Sequence, residues 1–252
     1  MAVLSISFYS EALWRQVPVE VILPIDKWED GVNTQLGKKF KTLYLLHGLH
    51  GDHMDWVTKS RIRRYAEDND LAVVMPAGDN SFYVDREAMR ANYGDFIGRE
   101  LVEITRAMFP LSHKWEDTYI GGLSMGGYGA MRNGLKYNRT FSRIIALSAA
   151  LQNFEPGDVT FKQYREVVFG DLDKAKDSDL NPRWLLEHLE GPVPKVFLAC
   201  GTEDGLLSHS RLYKGLLAQA KVPTHYEEWE GGHTWDFWDE GIRKAIHWIF
   251  HE

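Results

Sequence analysis

The chain lacks the features that stabilise small secreted proteins or anchor a protein in a membrane. It has a single cysteine, Cys200, among 252 residues, so neither an intrachain disulfide nor a cysteine-based metal site can form. No apolar run approaches the roughly 18 residues of a membrane helix. The N-terminus, MAVLSISFYSEALWRQ, has no basic start followed by an unbroken apolar stretch, so it does not match a secretory signal. We therefore expect a cytoplasmic protein.

Basic residues are also fewer than acidic residues. The formal net charge is −7, and Lys and Arg are scattered along the chain. The short basic cluster at 59–64 is interrupted and is typical of the solvated face of a helix. This distribution argues against nucleic acid as a partner. The length favours one α/β domain over residues 1–252, large enough to bury a core without disulfides or metals.

Apolar segments alternate with amphipathic ones along most of the chain. Short apolar runs of this kind are typical of strands buried on both faces of a sheet. The predicted strands are 3–9, 17–23, 42–46, 71–75, 118–120, 144–147, 196–199 and 224–229. The predicted helices are 56–67, 94–109, 126–137, 208–220 and 237–250. The alternation predicts a mainly parallel sheet of about eight strands with helices on both faces, its first two strands pairing antiparallel at one edge.

One segment departs from this alternation. Residues 151–194 contain no clear apolar strand, four prolines and the charged run DLDKAKDSDLN. We expect a small cap-like insertion of short helices and loops over the carboxyl edge of the sheet.

A nucleophile is predicted where the strand at 118–120 meets the next helix. Gly122-Leu-Ser124-Met-Gly126 has the G-x-S-x-G pattern, in which a serine occupies a sharp, strained turn between a strand and a helix. Small residues on both sides let neighbouring backbone approach that turn. Ser148 also ends an apolar run, but it lacks the flanking glycines and is interpreted as a strand-end hydroxyl.

The acid and the base follow in the order expected for this kind of fold, serine, acid, histidine. Asp204 lies in a loop after the strand at 196–199, where a carboxylate would accept an imidazole N–H and fix its tautomer. Glu203 is the alternative, and Asp204 is preferred because it is deeper in the loop and a glycine follows it. His233 lies in a glycine-flanked loop after the last strand, free to reach the serine.

An oxyanion hole is predicted between two backbone N–H groups. Met125, directly after Ser124, supplies one. Leu49, in the loop His47-Gly-Leu-His-Gly51 after the strand at 42–46, supplies the other. His47 and His50 also raise the question of a metal site, but no third ligand has a suitable spacing. We expect no metal and no cofactor.

Four blocks resemble the tributyrin esterase group of the esterase D-like α/β hydrolases. They are LLHGLHGDHMDW, GGLSMGGYGAM, CGTEDGLL and GGHTWDFWD, and the resemblance covers nearly the whole chain. It implies a carboxylesterase for short acyl esters, with Ser124, Asp204 and His233 as triad and Leu49 and Met125 as oxyanion donors. It also implies that a homo-oligomer forms. S-formylglutathione hydrolases in the family usually carry a cysteine in the loop corresponding to 48–56, and this loop has none.

The expected function is hydrolysis of acetyl to butyryl esters through an acyl-enzyme. Trp56, Trp235 and Trp238 lie close in sequence to the oxyanion loop and to His233. Their rings could narrow the acyl pocket, or they could pack in the core or on a helix face. The same rings could instead form a stacking wall for an aromatic acid, as in feruloyl or cinnamoyl esterases. Further alternatives are a carbohydrate acetylesterase, a thioester hydrolase of the S-formylglutathione type, an acyltransferase and a non-catalytic binding protein.

Overall fold

The computed structural model describes residues 1–151, 154 and 162–251. Its centre is a sheet of eight strands. In chain order they are β1 (Ala2–Ser10), β2 (Arg15–Leu23), β3 (Lys41–Leu46), β4 (Leu71–Pro76), β5 (Thr118–Leu123), β6 (Arg143–Leu147), β7 (Lys195–Gly201) and β8 (Thr224–Trp229). These confirm the predicted strands to within a few residues at each end.

The strands lie in the order β1-β2-β4-β3-β5-β6-β7-β8. The pair β1 and β2 is antiparallel, as is the pair β2 and β4. All other neighbours in the sheet are parallel. The carboxyl ends of β3, β5, β6, β7 and β8 therefore lie at one edge, and the loops that follow them meet there.

Helices cover both faces of this sheet. They are α1 (Asp55–Lys59), α2 (Ile62–Asp68), α3 (Tyr93–Asp95), α4 (Leu101–Met108), α5 (Met125–Lys136), α6 (Lys162–Phe169), α7 (Leu172–Lys176), α8 (Pro182–Glu187), α9 (Leu207–Gln219) and α10 (Trp235–His251). A π-helical turn, Phe96–Glu100, joins α3 to α4. Within the described ranges, no helix has the length and apolar character needed to cross a bilayer.

Alternate side chains of the central strands pack in two separate hydrophobic cores, one on each face of the sheet. Tyr44 and Leu46 pack with residues of α4, α5 and α9 on one side. Leu43 and Leu45 pack with residues of α1, α2 and α10 on the other. Because β-strand side chains alternate in direction, a strand of unbroken apolar residues can serve both cores. The chain thus has the predicted α/β architecture.

The predicted helix 56–67 is wrong as a single element. It divides into α1 and α2, because Ser60 is extended (φ −137°, ψ 173°). The Ser60 hydroxyl donates to the Trp56 carbonyl, and the Arg61 N–H donates to Asp239 of α10 at 2.7 Å. Side chains thus replace the hydrogen bonds that a continuous helix would make.

The described part of 151–194 contains α6, α7 and α8. The Asp179 carboxylate, between α7 and α8, pairs with Arg132 at 3.0 Å and Lys136 at 2.7 Å, both on α5. These contacts fix the end of the segment to the helix that follows Ser124. Residues 152, 153 and 155–161 of the predicted insertion lie outside the described residues.

Candidate active site

Ser124 lies in the turn between β5 and α5. Its backbone has φ 54° and ψ −116°, a conformation that is strained for a residue with a side chain. Gly126 allows the turn, because a methyl group there would lie 2.5 Å from the carbonyl oxygens of Leu46 and His47. The Ser124 hydroxyl is thereby presented at the carboxyl edge of the sheet, at the N-terminus of α5.

A chain of two hydrogen bonds links this serine to a histidine and a carboxylate. His233 Nε2 lies 3.0 Å from Ser124 Oγ, and His233 Nδ1 lies 2.8 Å from Asp204 Oδ2. A carboxylate can only accept, so Nδ1 carries the hydrogen and Nε2 is left to accept from the serine hydroxyl. The structure thus brings together the three side chains that the sequence assigned to nucleophile, base and acid.

Asp204 is held as an anion despite its burial. Burial by itself raises the pKa of Asp204, but hydrogen bonds from His233, from the Leu206 N–H and from the Ser148 hydroxyl outweigh it and lower the pKa. The Leu206 N–H donates to Oδ1 at 2.8 Å. An ionised carboxylate in this position can orient the imidazole and stabilise its protonated form.

Glu203, the alternative acid, is exposed to solvent. Its N–H donates to the Gly231 carbonyl at 3.0 Å, while the next residue, Asp204, has a side chain that is only 1% exposed. The turn therefore directs Asp204, and not Glu203, towards His233.

His47 holds the loop that was predicted to contribute to the oxyanion hole. The Gly78 N–H donates to His47 Nε2 at 2.9 Å, so the ring hydrogen is on Nδ1, which donates to the Gly48 carbonyl at 2.8 Å. The Tyr83 hydroxyl donates to the His47 carbonyl at 3.0 Å. Burial lowers the pKa of His47, which favours the neutral ring that this pattern requires.

Asn80 holds the next part of the same loop. His50 has a left-handed backbone (φ 65°), and its N–H donates to Asn80 Oδ1 at 2.8 Å. The Tyr164 hydroxyl of α6 donates to the Asn80 carbonyl. These supports were missed in the sequence, because Asn80 and Tyr164 lie 30 and more residues away from the loop and carry no local motif.

The two predicted oxyanion donors and Ser124 border one cavity. Leu49 and Met125 line the same cavity, which has a volume of about 780 Å³. Met125 is the first residue of α5, so its N–H has no acceptor within the helix. Among the described residues, no group of three or more metal-binding side chains is found.

Of the three tryptophans proposed to shape the pocket, the structure brings two to the cavity. Trp235 lines it, together with Trp238, beside His233. Trp56 is 1% exposed and donates its indole N–H to the Leu46 carbonyl at 3.0 Å. Its ring meets Trp235 edge-on, with centroids 5.2 Å apart. The assignment of Trp56 to substrate contact is therefore corrected: it packs behind Trp235.

Comparison with known proteins bears on the family of the chain. The Esterase family model matches residues 10–249. The chain is 42% identical to the acetyl esterase of Caldicellulosiruptor saccharolyticus, over 99% of this chain and 98% of that one. Its fold matches the crystal structure of S-formylglutathione hydrolase from Staphylococcus aureus with a TM-score of 0.86 and 31% identity, over 98% of both chains.

A ferulic acid esterase structure matches with a TM-score of 0.76 at 21% identity, over 98% of this chain and 97% of that one, and shares the fold. The family match, the acetyl esterase relative and the fold point to the same chemistry. The chain therefore belongs to the Esterase family and is a carboxylic ester hydrolase with the α/β-hydrolase fold.

Proposed function

We propose that this enzyme is a serine carboxylesterase for short-chain acyl esters, acetyl to butyryl, with Ser124 as nucleophile, His233 as general base and Asp204 as orienting acid. The hydrogen-bonded chain from Asp204 through His233 to Ser124, opening into the cavity, carries the proposal. The acetyl esterase relative at 42% identity supports the short acyl group.

In the first half-reaction, His233 Nε2 takes the Ser124 hydroxyl proton as Oγ attacks the ester carbonyl carbon. The Met125 and Leu49 N–H groups bind the negative oxygen, and each contributes about 3 kcal/mol to lowering the barrier. The C–O bond to the alcohol then breaks, and His233 returns the proton to the leaving oxygen. Asp204 stays ionised throughout and stabilises the imidazolium.

In the second half-reaction, water replaces the alcohol. His233 removes one proton from water as the oxygen attacks the acyl-enzyme, and the same two N–H groups hold the new oxyanion. Collapse releases the carboxylic acid and returns the proton to Ser124 Oγ. No redox step or metal ion is needed for either half.

The walls of the cavity support a small acyl group. Trp235 and Trp238 stand next to His233, with their rings perpendicular and their centroids 5.4 Å apart. Trp56 packs against the back of Trp235, so this wall is a supported aromatic surface. We infer that these rings limit the length of the acyl chain on the His233 side of the cavity. The same surface favours a feruloyl group as the second candidate substrate.

The test is hydrolysis of p-nitrophenyl esters from acetate to palmitate, together with a ferulate ester and a thioester. We expect the highest kcat/KM on acetate to butyrate and a fall of about a million-fold in Ser124→Ala. Ser142→Ala is the matched control, because Ser142 is a buried serine at the opposite end of β6 whose hydroxyl donates to the Thr118 carbonyl at 3.2 Å.

Each other outcome has a definite meaning. Faster hydrolysis of palmitate than butyrate would exclude the small acyl pocket, and preference for ferulate would select the aromatic acid. Turnover of the thioester alone would indicate that the leaving group is a thiol and not an alcohol. An increase in ester consumption on adding an acceptor alcohol would indicate an acyltransferase. A folded protein inactive on every substrate would leave a binding role.

A further inference from the structure

A second serine lies behind the catalytic carboxylate. Ser148 follows directly after β6, is fully buried, and has φ 45°, which is strained for a residue other than glycine. Its N–H donates to the Ala199 carbonyl at 2.8 Å, which fixes it to β7, the strand that leads to Asp204. A buried polar side chain on a strained backbone calls for an explanation beyond packing.

The Ser148 hydroxyl connects a tryptophan to the carboxylate. Trp238 Nε1–H donates to Ser148 Oγ at 3.1 Å. The Ser148 hydroxyl is among the groups that lower the pKa of Asp204, and it acts in the same direction on the neighbouring Cys200 thiol, whose pKa is raised by burial. Because the indole N–H occupies an acceptor position of the hydroxyl oxygen, the hydroxyl hydrogen is available to point at Asp204.

Trp238 also touches the other end of the hydrogen-bonded chain. Its ring lies perpendicular to the His233 ring, with centroids 4.8 Å apart and an interplanar angle of 90°. Trp238 is 6% exposed and belongs to the first turn of α10, which begins two residues after His233. One side chain thus contacts the base directly and reaches the acid through Ser148.

We propose that Ser148 and Trp238 are positioning residues that together hold the Asp204 carboxylate and the His233 ring in their productive orientation. This proposal rests on the roles proposed above for Ser124, His233 and Asp204. Neither Ser148 nor Trp238 takes part in bond making; both act through the acid and the base.

The expected effect follows from the donors around Asp204. Oδ2 receives the His233 N–H and Oδ1 receives the Leu206 N–H, and the Ser148 hydroxyl adds to their lowering of the pKa of a side chain that is 1% exposed. Water has little access to replace it. Without the Ser148 hydroxyl, the negative charge of Asp204 is stabilised by fewer groups. The Asp204 carboxylate then attracts the proton on His233 Nδ1 more strongly and is less firmly oriented.

The variants are Ser148→Ala, Trp238→Phe and the double variant. Trp238→Phe keeps an aromatic ring against His233 but removes the N–H. Ser142→Ala and Trp115→Phe are matched controls, since Trp115 donates its indole N–H to the Asn138 carbonyl at 2.7 Å before β5, away from the cavity. The readouts are the rate of labelling by a fluorophosphonate, which reports the reactivity of the serine without depending on the natural ester, and kcat and KM for p-nitrophenyl acetate.

We expect Ser148→Ala and Trp238→Phe each to lower the labelling rate and kcat by about 10-fold, with KM within about twofold. The acid limb of the pH–rate profile should move to higher pH by about 0.5 to 1 unit. The double variant should resemble Ser148→Ala, because both substitutions act through one hydroxyl. The other ionisable groups around Asp204 and the cavity are unchanged in all variants: His50, Asp55, Lys59, Tyr164, Arg165, Cys200 and His209.

Equal rates and pH profiles for Ser148→Ala and Ser142→Ala would overturn the proposal, as would independent, multiplying effects in the double variant. If Ser148→Ala does not fold, Ser148→Gly removes the same hydroxyl and tolerates the positive φ. Labelling of the wild type that is lost in Ser124→Ala establishes the nucleophile separately. Failure of the positioning role is thereby distinguished from failure of the proposed function. Absence of labelling in the wild type would overturn both.

Discussion

Gly126→Ala places a methyl group between the turn that carries Ser124 and the loop that is proposed to hold an oxyanion donor, Leu49. The new carbon would lie 2.5 Å from the carbonyl oxygens of Leu46 and His47. Contacts of this kind are essentially never below 3.0 Å, and ordinary contact begins at 3.4 Å. The two segments must therefore separate by 3.0 − 2.5 = 0.5 Å at least, and by 3.4 − 2.5 = 0.9 Å for relaxed contact. Both neighbours are backbone atoms, so no side-chain rotation relieves the clash.

The displacement falls on both proposed oxyanion donors. Met125 precedes Gly126 in the turn, and Leu49 follows His47 in the loop. A shift of this size in reacting geometry costs about 100-fold, and complete loss of one donor costs about 100- to 1000-fold in kcat. We expect kcat for p-nitrophenyl acetate to fall at least about 100-fold, with a smaller change in KM. Overpacking should also reduce the free energy of unfolding by about 1–3 kcal/mol.

Two other glycines provide a graded control. A methyl group at Gly215, in α9, meets nothing within 4 Å, so Gly215→Ala should keep full activity and gain about 0.5–1 kcal/mol of stability. At Gly127 the nearest atom is the Ala149 Cβ at 2.8 Å, so the effect should be intermediate. Steady-state kinetics and urea unfolding of the three variants give the answer. A folded Gly126→Ala enzyme with kcat within about threefold of wild type would refute the reasoning.

Three further predictions concern the acid, the segment after α7 and the pocket wall. Asp204→Asn should lower kcat about 10⁴-fold by favouring the wrong imidazole tautomer; a loss below tenfold in steady-state assays would contradict this. Asp179→Asn removes the nearer of two carboxylates from the buried Arg132 and leaves Asp85 at 3.8 Å. It should cost about 2 kcal/mol in urea unfolding at pH 7, less than a fully buried pair because Asp179 is 37% exposed and Asp85 remains. Burial raises the pKa of Asp179, but Arg132 and Lys136 outweigh burial and lower the pKa in the folded protein. The stabilisation is therefore fully present above the pKa of Asp179 in the unfolded chain and is lost as pH falls through its lower pKa in the folded protein. If the difference in unfolding free energy between Asp179→Asn and wild type persisted unchanged at pH 2, this would argue against the ion pairs. Trp235→Ala should raise the ratio of kcat/KM for hexanoate over acetate by about 10-fold, and an unchanged ratio would mean that Trp235 does not limit acyl length.

The sheet and the positions of the three central side chains were predictable because each depended on a local signal. Apolar runs such as 71–75 and 196–199 identify buried strands, and parallel strands bring their carboxyl ends to one edge. Ser124, Asp204 and His233 each follow such a strand. Chain order and strand ends were therefore sufficient to place them together, and the observed distances of 2.8 and 3.0 Å agree.

What the sequence could not predict depends on contacts between distant segments. The break at Ser60 is fixed by Asp239, 178 residues after Arg61 along the chain. Trp56 and Trp235 look alike in sequence, as aromatic residues near a site loop. Only packing shows that one ring lies behind the other. The periodicity of apolar residues and the spacing of motifs carry no information on such long-range hydrogen bonds, or on which of two aromatic rings packs behind the other.

The turns that carry Ser124 and Ser148 are bonded to each other, and this explains why two strained serines occur side by side. The Ser124 N–H donates to the Leu147 carbonyl at 2.9 Å, and the Ala150 N–H donates to the Ser124 carbonyl at 3.1 Å. Each hydrogen bond holds one positive-φ turn against its neighbour, so the strain in the nucleophile turn is sustained by the end of β6. A substitution at Ser148 that shifts this backbone would move Ser124 as well, whereas one that removes only the hydroxyl acts on Asp204. The pH profile separates the two, because only the second alters the charge environment of the carboxylate.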